Sequence, residues 1–198
     1  MTAARPVPAF RGGAGRLCLD FIRTLRHGGT ADVEEELPDP AALLAWVRQF
    51  GPAGQFGPEE STGEGQDARA RVLREAIYEL ITAARGQAGV ASCPAQARET
   101  VNEMAALPVP APWLDPAGRL RWGADDLVVA TLALVARDAV DLVSSTAIGR
   151  VRHCAGHDCR ALFLDSSRPG TRRWCSMNTC GNKSKKDTLR DRAAVGQD

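Results

Sequence analysis

The stretch from residue 152 to residue 182, RHCAGHDCRALFLDSSRPGTRRWCSMNTCGN, contains two C-x4-C cysteine pairs separated by fifteen residues. Two short-range pairs joined by a longer connection are a common way to assemble a tetrahedral zinc site. The segment is too short and polar to bury a sufficient core of its own. Zinc binding supplies about 10–16 kcal/mol of apparent folding free energy to peptides of this kind. The spacing therefore predicts one structural zinc ion per chain, held by Cys154, Cys159, Cys175 and Cys180.

Two other interpretations of these cysteines stay open at this point. The four thiols could be free or buried without metal, and His153 or His157 could replace one cysteine as a ligand. Four protein ligands would leave no open coordination position, which favours a structural site over a catalytic one. The chain also contains no phosphate-binding loop, nucleophile elbow or pair of catalytic carboxylates, so we predict that it is not an enzyme and has no catalytic residues.

The fifteen residues between the cysteine pairs contain the pattern of a β-hairpin. Residues 161–164 and Trp174 provide its strands, and residues 165–171 provide a turn. A helix is predicted after Cys175, with Ser176 as its cap and Cys180 one turn further on.

Basic residues follow the second cysteine pair. Residues 150–198 contain 11 Lys and Arg against 5 Asp and Glu, a net charge of +6, whereas residues 1–149 contain 14 against 19, a net charge of −5. A zinc ion with four thiolates carries about −2, so the C-terminal part remains cationic. Lys183, Lys186 and Arg190 are spaced three and four residues apart and share one helix face.

This pattern predicts contacts with nucleic-acid phosphates. The residues assigned to that contact are Lys183, Lys185, Lys186, Arg190, Arg172 and Arg173. The alternative is a solvated terminal helix, in which Asp187 and Asp191 pair with the basic side chains.

The preceding part of the chain is predicted to be mainly helical. Asp39 is a suitable N-cap for a helix over residues 40–50, and further helices are expected at 67–85 and 95–106. Asp125 and Asp126 are expected to open a last helix that runs to about Ser144. Residues 113–122 have the pattern of a β-hairpin, and residues 16–26 fit a helix or a strand. Six apolar residues are expected in the core: Leu73, Ile77, Leu80, Leu132, Val135 and Leu142. Four residues are expected on the polar face of the helix 67–85: Arg71, Arg74, Glu75 and Glu79.

Together these features predict a mainly helical α+β protein with two domains, at residues 1–150 and 151–198. The second is a zinc-bound hairpin and helix of treble-clef or ribbon type. No signal peptide and no run of 18 uncharged apolar residues is found, so we expect a cytoplasmic protein without a membrane span. Asp20 and Thr24, one turn apart, could line a pocket or make local hydrogen bonds, and Cys18 and Cys93 have no assigned role.

The stretch WCSMNTCGNK, with a C-x4-C pair and LFLDSS before it, resembles the CGNR zinc finger. Upstream, GGAGRLCLDFIRTL resembles the start of the ABATE domain of stress-induced bacterial transcription regulators. Two residues depart from the family pattern. Arg23 stands where the family usually has Asn, and Lys183 replaces the Arg of the CGNR motif, which keeps the charge but loses the bidentate fork.

The resemblance implies a zinc-dependent DNA-binding transcription regulator. It also implies an N-terminal domain that senses an unknown small-molecule effector or mediates homodimerisation. A protein- or RNA-binding adaptor with a purely structural zinc is the alternative.

Overall fold

The computed structural model describes residues 10–28, 32–52 and 62–186. Its α-helices are α1 Leu17–Ile22, α2 Pro40–Phe50, α3 Gln66–Arg85, α4 Ala95–Ala106 and α5 Leu127–Ser144. Two 3-10 turns lie at Gly89–Ser92 and Thr146–Arg150. Within the described ranges, no helix has the length and apolar character that crossing a bilayer requires.

The described strands form three antiparallel hairpins. They pair β1 Leu25–Arg26 with β2 Glu34–Glu35, β3 Ala111–Leu114 with β4 Leu120–Gly123, and β5 Val151–His153 with β6 Leu162–Leu164. A mainly helical N-terminal part, followed by a hairpin and helix around four clustered cysteines, confirms the predicted fold class.

Two helices begin at side-chain caps. The Asp39 carboxylate accepts a hydrogen bond from the Ala42 N–H (2.8 Å), and the Asp126 carboxylate accepts one from the Val129 N–H (2.9 Å). Each cap satisfies a backbone donor that the first helical turn leaves without an intrahelical acceptor. The predicted starts of α2 and α5 are therefore confirmed.

α5 lies at the centre of the N-terminal part, where it packs against α1, α3 and α4. Its apolar residues repeat at helical spacing on more than one face, as expected for a helix covered on several sides. All six predicted core residues are buried: Leu73, Ile77, Leu80, Leu132, Val135 and Leu142.

One prediction for α3 is wrong. Arg74 was expected on the solvent face, but its side chain is only 4% exposed. It donates two hydrogen bonds to the Glu35 carboxylate (2.7 and 2.6 Å) and a third to the Thr24 hydroxyl (3.2 Å). A buried guanidinium is stable when it is paired and hydrogen-bonded in this way. Residue 74 therefore faces β2 rather than water.

Residues 16–26, which fitted a helix or a strand, contain both in succession: α1 is followed by β1. The Thr24 hydroxyl donates to the Phe21 carbonyl (2.7 Å), and the Asp20 carboxylate accepts from the Ala14 N–H (2.8 Å). The expectation of local hydrogen bonds at these two residues is confirmed.

The C-terminal hairpin shares its core with the helices. Leu162 and Phe163 are buried in the same cluster as α1, α3 and α5. The Leu164 N–H donates to the Ala14 carbonyl (2.7 Å). Gly15, at φ +92°, lies so close to β6 that an added Cβ would be 3.1 Å from the Leu164 Cβ. The chain before α1 therefore packs directly on β6.

Candidate metal centre and nucleic-acid interface

The first cysteine pair lies in the turn of the β5–β6 hairpin. His153 pairs with Leu162, and the Cys154 N–H donates to the Ala161 carbonyl (2.8 Å), so residues 154–161 form a closed turn. The second pair lies at the start of the following helical segment. This is the predicted arrangement of a hairpin and a helical segment around four clustered cysteines.

The predicted pairing of strand 161–164 with Trp174 is wrong. β6 pairs instead with β5, which precedes the first cysteine. The physical reason lies in Asp165, whose carboxylate accepts hydrogen bonds from the Ser167 hydroxyl (2.6 Å), the Ser167 N–H (3.0 Å) and the Arg172 N–H (3.0 Å). These bonds hold residues 165–172 as a polar loop and lower the pKa of Asp165.

The four cysteine sulfurs lie within 4.8 Å of one another. Cys175 Sγ is 3.6 Å from Cys159 Sγ and 3.7 Å from Cys180 Sγ. Tetrahedral zinc with Zn–S bonds of about 2.3 Å requires S–S separations of about 3.8 Å. Because the donor set and these separations both match, the cluster fits the predicted structural zinc.

Hydrogen bonds within the cluster also favour a thiolate at Cys159. The Cys154 sulfur accepts hydrogen bonds from the Gly156 N–H (3.4 Å) and the Cys175 N–H (3.3 Å). A hydrogen bond from Cys175 lowers the pKa of Cys159 to about 4, whereas the pKa of Cys175 is raised by the same shared proton. Zinc binds thiolates, and its binding releases the protons that remain.

Gly156 allows the first cysteine turn to lie close to Cys180 of the second pair. An added Cβ would lie 3.3 Å from the Cβ atoms of both Cys159 and Cys180. A larger residue would therefore press the two cysteine pairs apart.

Arg23, at the end of α1, reaches the metal centre from the N-terminal part. Its side chain is 6% exposed and donates to Asp20 Oδ1 (3.4 Å), to the Gly12 carbonyl (3.2 Å) and towards Cys175 Sγ (3.9 Å). A buried cation beside a site of about −2 charge lowers the cost of burying that charge.

The two histidines beside the first pair lie outside the sulfur cluster. The exposed His157 contacts the Asp158 carboxylate (2.5 Å), and the His153 ring is 2.9 Å from an Arg85 nitrogen. Within the described ranges, the potential metal-binding group consists of the four cysteines, without either histidine.

A π-helical turn, Met177–Gly181, contains Cys180 of the second pair and continues as a helix through residues 182–186. Ser176 occupies the predicted cap position, but its side chain makes no capping hydrogen bond. Its carbonyl instead accepts from the Gly181 N–H (3.0 Å), five residues ahead. The wider turn places Cys180 back towards the metal centre.

The predicted basic residues occupy different environments. Lys185 and Lys186 are exposed, as is Arg173, whose guanidinium lies 5.0 Å from the Trp174 ring. Lys183 forms an ion pair with Asp158 (2.7 Å). Arg190 lies outside the described residues.

Arg172 is used inside the finger. Its guanidinium donates to the Trp174 carbonyl (2.8 Å) and to the Cys175 carbonyl, and it lies 4.8 Å from the Phe163 ring. These contacts hold the backbone on either side of Cys175, so the described geometry does not bring Arg172 together with the exposed lysines.

Three contributors to the site were missed from the sequence: Arg23, Asp158 and Asp165. Asp158 lies inside the first cysteine turn. An acidic residue in a module with a cationic helix could have indicated an ion pair with that helix. Arg23 and Cys175 are 152 residues apart. No local pattern indicates a contact at that separation.

Comparison with known families gives two matches. The ABATE family model, described as "Putative stress-induced transcription regulator", matches residues 15–146. The zf-CGNR model, described as "CGNR zinc finger", matches residues 150–193. No curated protein matches the chain.

Proposed function

Since the chain belongs to the ABATE family of stress-induced transcription regulators and carries a CGNR zinc finger, we propose that it binds double-stranded DNA through the cationic end of that finger. The finger comprises residues 151–198, and residues 1–150 form the domain that senses a signal or mediates dimerisation. The family description is regulatory, which agrees with the expectation that the chain is not an enzyme.

The observation that carries the proposal is a group of exposed cations beside the metal centre. Lys185 and Lys186 are exposed on the helical segment that starts at the second cysteine pair, and Arg173 is exposed just before that pair. Within the part of the chain that the structure describes, none of the three has an ion-pair partner. Cations held by a rigid anchor bind phosphates with little loss of side-chain and backbone freedom.

Lys183 has a more specific part in the proposal. Asp158 accepts a hydrogen bond from its ammonium group, which lowers the pKa of Asp158 to about 2. The carboxylate therefore remains ionised at any physiological pH and competes with a phosphate for Lys183. We infer that Asp158 weakens the DNA affinity of the finger and fixes the orientation of Lys183.

The test is a titration of the zinc-loaded protein against a labelled duplex at two salt concentrations. Lys185→Ala and Lys186→Ala should each flatten the slope of log affinity against log salt by about 0.9. They should weaken binding to matched and scrambled sequences alike, because phosphate contacts carry no sequence information. Arg69→Ala removes an exposed cation from α3 and serves as the matched control.

Two variants test Lys183 itself. Asp158→Asn removes the competing carboxylate and should strengthen DNA binding. Lys183→Arg restores the family residue and should help more on a preferred site than on random DNA if this position reads guanine. Unchanged affinity in Asp158→Asn would contradict the competition.

The adaptor alternative makes a different prediction. An adaptor with a structural zinc should show no affinity for the duplex at about 50 mM salt, where phosphate contacts are strong. Its behaviour in the duplex titration should also be unchanged by Lys183→Arg, Lys185→Ala, Lys186→Ala and Arg69→Ala. That result would remove DNA binding and leave the finger as a surface for protein or RNA.

A further inference from the structure

A cavity of about 570 Å³ lies between the N-terminal part and the finger. One wall comes from the end of α1, β1 and α3, and the opposite wall comes from the first cysteine turn and β6. Ile22, Leu25 and Leu162 give the cavity an apolar surface. The volume falls in the range of about 300–1,000 Å³ that is usual for small-molecule sites.

The arginine and carboxylate side chains of the lining are mainly cationic, and Cys154 and Cys159 of the metal centre also line the cavity. Five arginines line it, against the single carboxylate of Glu75. Three of them already have acidic partners: Arg23 pairs with Asp20, Arg26 with Glu34 and Glu36, and Arg74 with Glu35 and Glu75. The paired arginines line the wall, but their acidic partners largely neutralise their charge.

Three polar groups of the lining remain available. Within the described ranges, Arg11 and Arg160 have no ion pair, and the Tyr78 hydroxyl has no hydrogen-bond partner. Arg11 interacts with Glu36 only at longer range. A few polar groups beside an apolar surface are the usual composition of a small-ligand site.

Backbone strain is concentrated at the same cavity. Among the described residues, His27 (φ 54°) and Arg160 (φ 44°) are the two non-glycine positions with positive φ, and both line it. The two lie on opposite walls. Strained residues of this kind persist where the surrounding structure holds them, often at ligand clamps.

We propose that this cavity binds a small organic anion. A carboxylate or phosphate head lies between Arg11 and Arg160, the Tyr78 hydroxyl donates to it, and an apolar body contacts Ile22, Leu25 and Leu162. A phosphate of duplex DNA has no apolar body to fill this surface, so the occupant is a free small molecule.

The cavity also provides a route to the proposed DNA contact, and this consequence rests on the proposed function. His27 Nδ1 contacts the Asp158 carbonyl, and the Asp158 carboxylate holds Lys183. A second cavity of about 470 Å³ shares Arg11 and His27 with the first and extends to Lys183. A ligand that moves the cysteine turn against β1 therefore changes the position of Lys183.

The site is tested by calorimetric titration of the zinc-loaded full chain, without DNA and at constant ionic strength. The probes are phenyl phosphate, benzoate and inorganic phosphate. We expect phenyl phosphate or benzoate to saturate one site per chain and to bind more tightly than inorganic phosphate.

Matched variants locate the binding. Arg11→Gln and Arg160→Gln should each weaken the best probe by about tenfold or more, as for a lost hydrogen bond to a charged group. Arg69→Gln, which removes an equal charge outside the cavity, should leave affinity unchanged. Because Arg160 follows a cysteine of the metal centre, zinc content is measured for each variant. Tyr78→Phe keeps the ring but removes the hydroxyl, so it should weaken binding of the best probe several-fold.

The outcomes separate the two proposals. No saturable binding of any probe, or equal loss in Arg69→Gln, overturns the ligand site, and so does binding of inorganic phosphate without gain from an organic body. Probe binding by a protein that has no duplex affinity supports the site and removes the DNA proposal. Duplex affinity measured with and without phenyl phosphate then tests the route to Lys183, which predicts a change in the parent and none in Arg160→Gln.

Discussion

The helices α2–α5 and the finger after residue 151 are stabilised in different ways. The helices bury aliphatic residues that repeat at helical spacing and contact one another across α5. The finger contributes few apolar residues, chiefly Val151, Leu162 and Phe163, and these enter the core of the helical part. Its remaining order comes from the four sulfurs and from the polar bonds of Asp165 and Arg172. The finger therefore depends on both zinc and the helices, whereas the helices supply most of their own core.

Removing zinc should have the largest effect. Loss of about 10–16 kcal/mol of apparent metal-binding free energy, by chelation or by Cys175→Ser, is expected to disorder the region after about Arg152. The helices should remain but melt at a lower temperature, because Leu162 and Phe163 no longer cover α1. Elemental analysis, circular dichroism and amide NMR spectra measure these effects.

His157→Ala is the control for zinc loss. The ring lies outside the sulfur cluster, so this variant should keep one zinc per chain and the parent's spectra. A folded parent protein with a metal content near zero would contradict the zinc prediction, and complete unfolding of the helices would contradict the asymmetry between the two regions.

Substitution within α3 should separate its two faces. Ile77 is fully buried, so Ile77→Asp places an unpaired charge in the core and should cost about 4 kcal/mol or more. Val72 is 59% exposed, so Val72→Asp should change stability by less than about 0.5 kcal/mol. Urea unfolding of both variants measures the difference, and equal losses would contradict the assignment of faces.

Arg23 connects the two regions and should have an intermediate effect. Arg23→Asn removes the buried cation beside Cys175 and is expected to raise the zinc dissociation constant by about 10–100-fold, as for other outer-shell partners of a metal. Arg23→Lys keeps the charge and should lose less. Competition with a chelator of known affinity measures both. Parent affinity in Arg23→Asn would show that the contact is only packing.

The smallest effect is expected at the cap of α2. Asp39→Ala removes the acceptor of the Ala42 N–H and should cost about 1 kcal/mol, whereas Asp39→Asn retains a good cap. Urea unfolding compares the two variants, and zinc content should be unchanged in both. A change in zinc affinity would show that the two regions are coupled more widely than their contacts indicate.

Helix positions could be predicted because each combines local signals. Asp39 is a cap, Asp125 and Asp126 are an acidic pair that opens α5, and the buried faces of α3 and α5 repeat every three or four residues. Arg74 was misassigned because its partner, Glu35, lies in a two-residue strand that has no periodic pattern. The buried ion pair overrides the polarity that the sequence suggests.

In the finger, cysteine spacing predicted the metal site, but the partner of β6 was misassigned. Apolar residues both before and after β6 in the chain could serve as its partner strand. β5, the actual partner, is only three residues long, which is too short to show the apolar–polar alternation of a strand. The choice between the two partners depends on the hydrogen bonds of Asp165, which operate only once the loop has folded. Contacts such as Arg23–Cys175 depend on the whole tertiary structure.

The packing of α1 has a consequence for biosynthesis. The neighbourhood of α1 is completed by Asp138 of α5, by Leu164 and by Cys175, which the ribosome adds more than a hundred residues after α1. At about 5–20 residues per second, that interval is on the order of ten seconds. Throughout it, the apolar face of α1 lacks its final partners. Slow closure of such distant contacts leaves apolar surface open to non-native association, and the zinc site can form only after Cys180 has been synthesised.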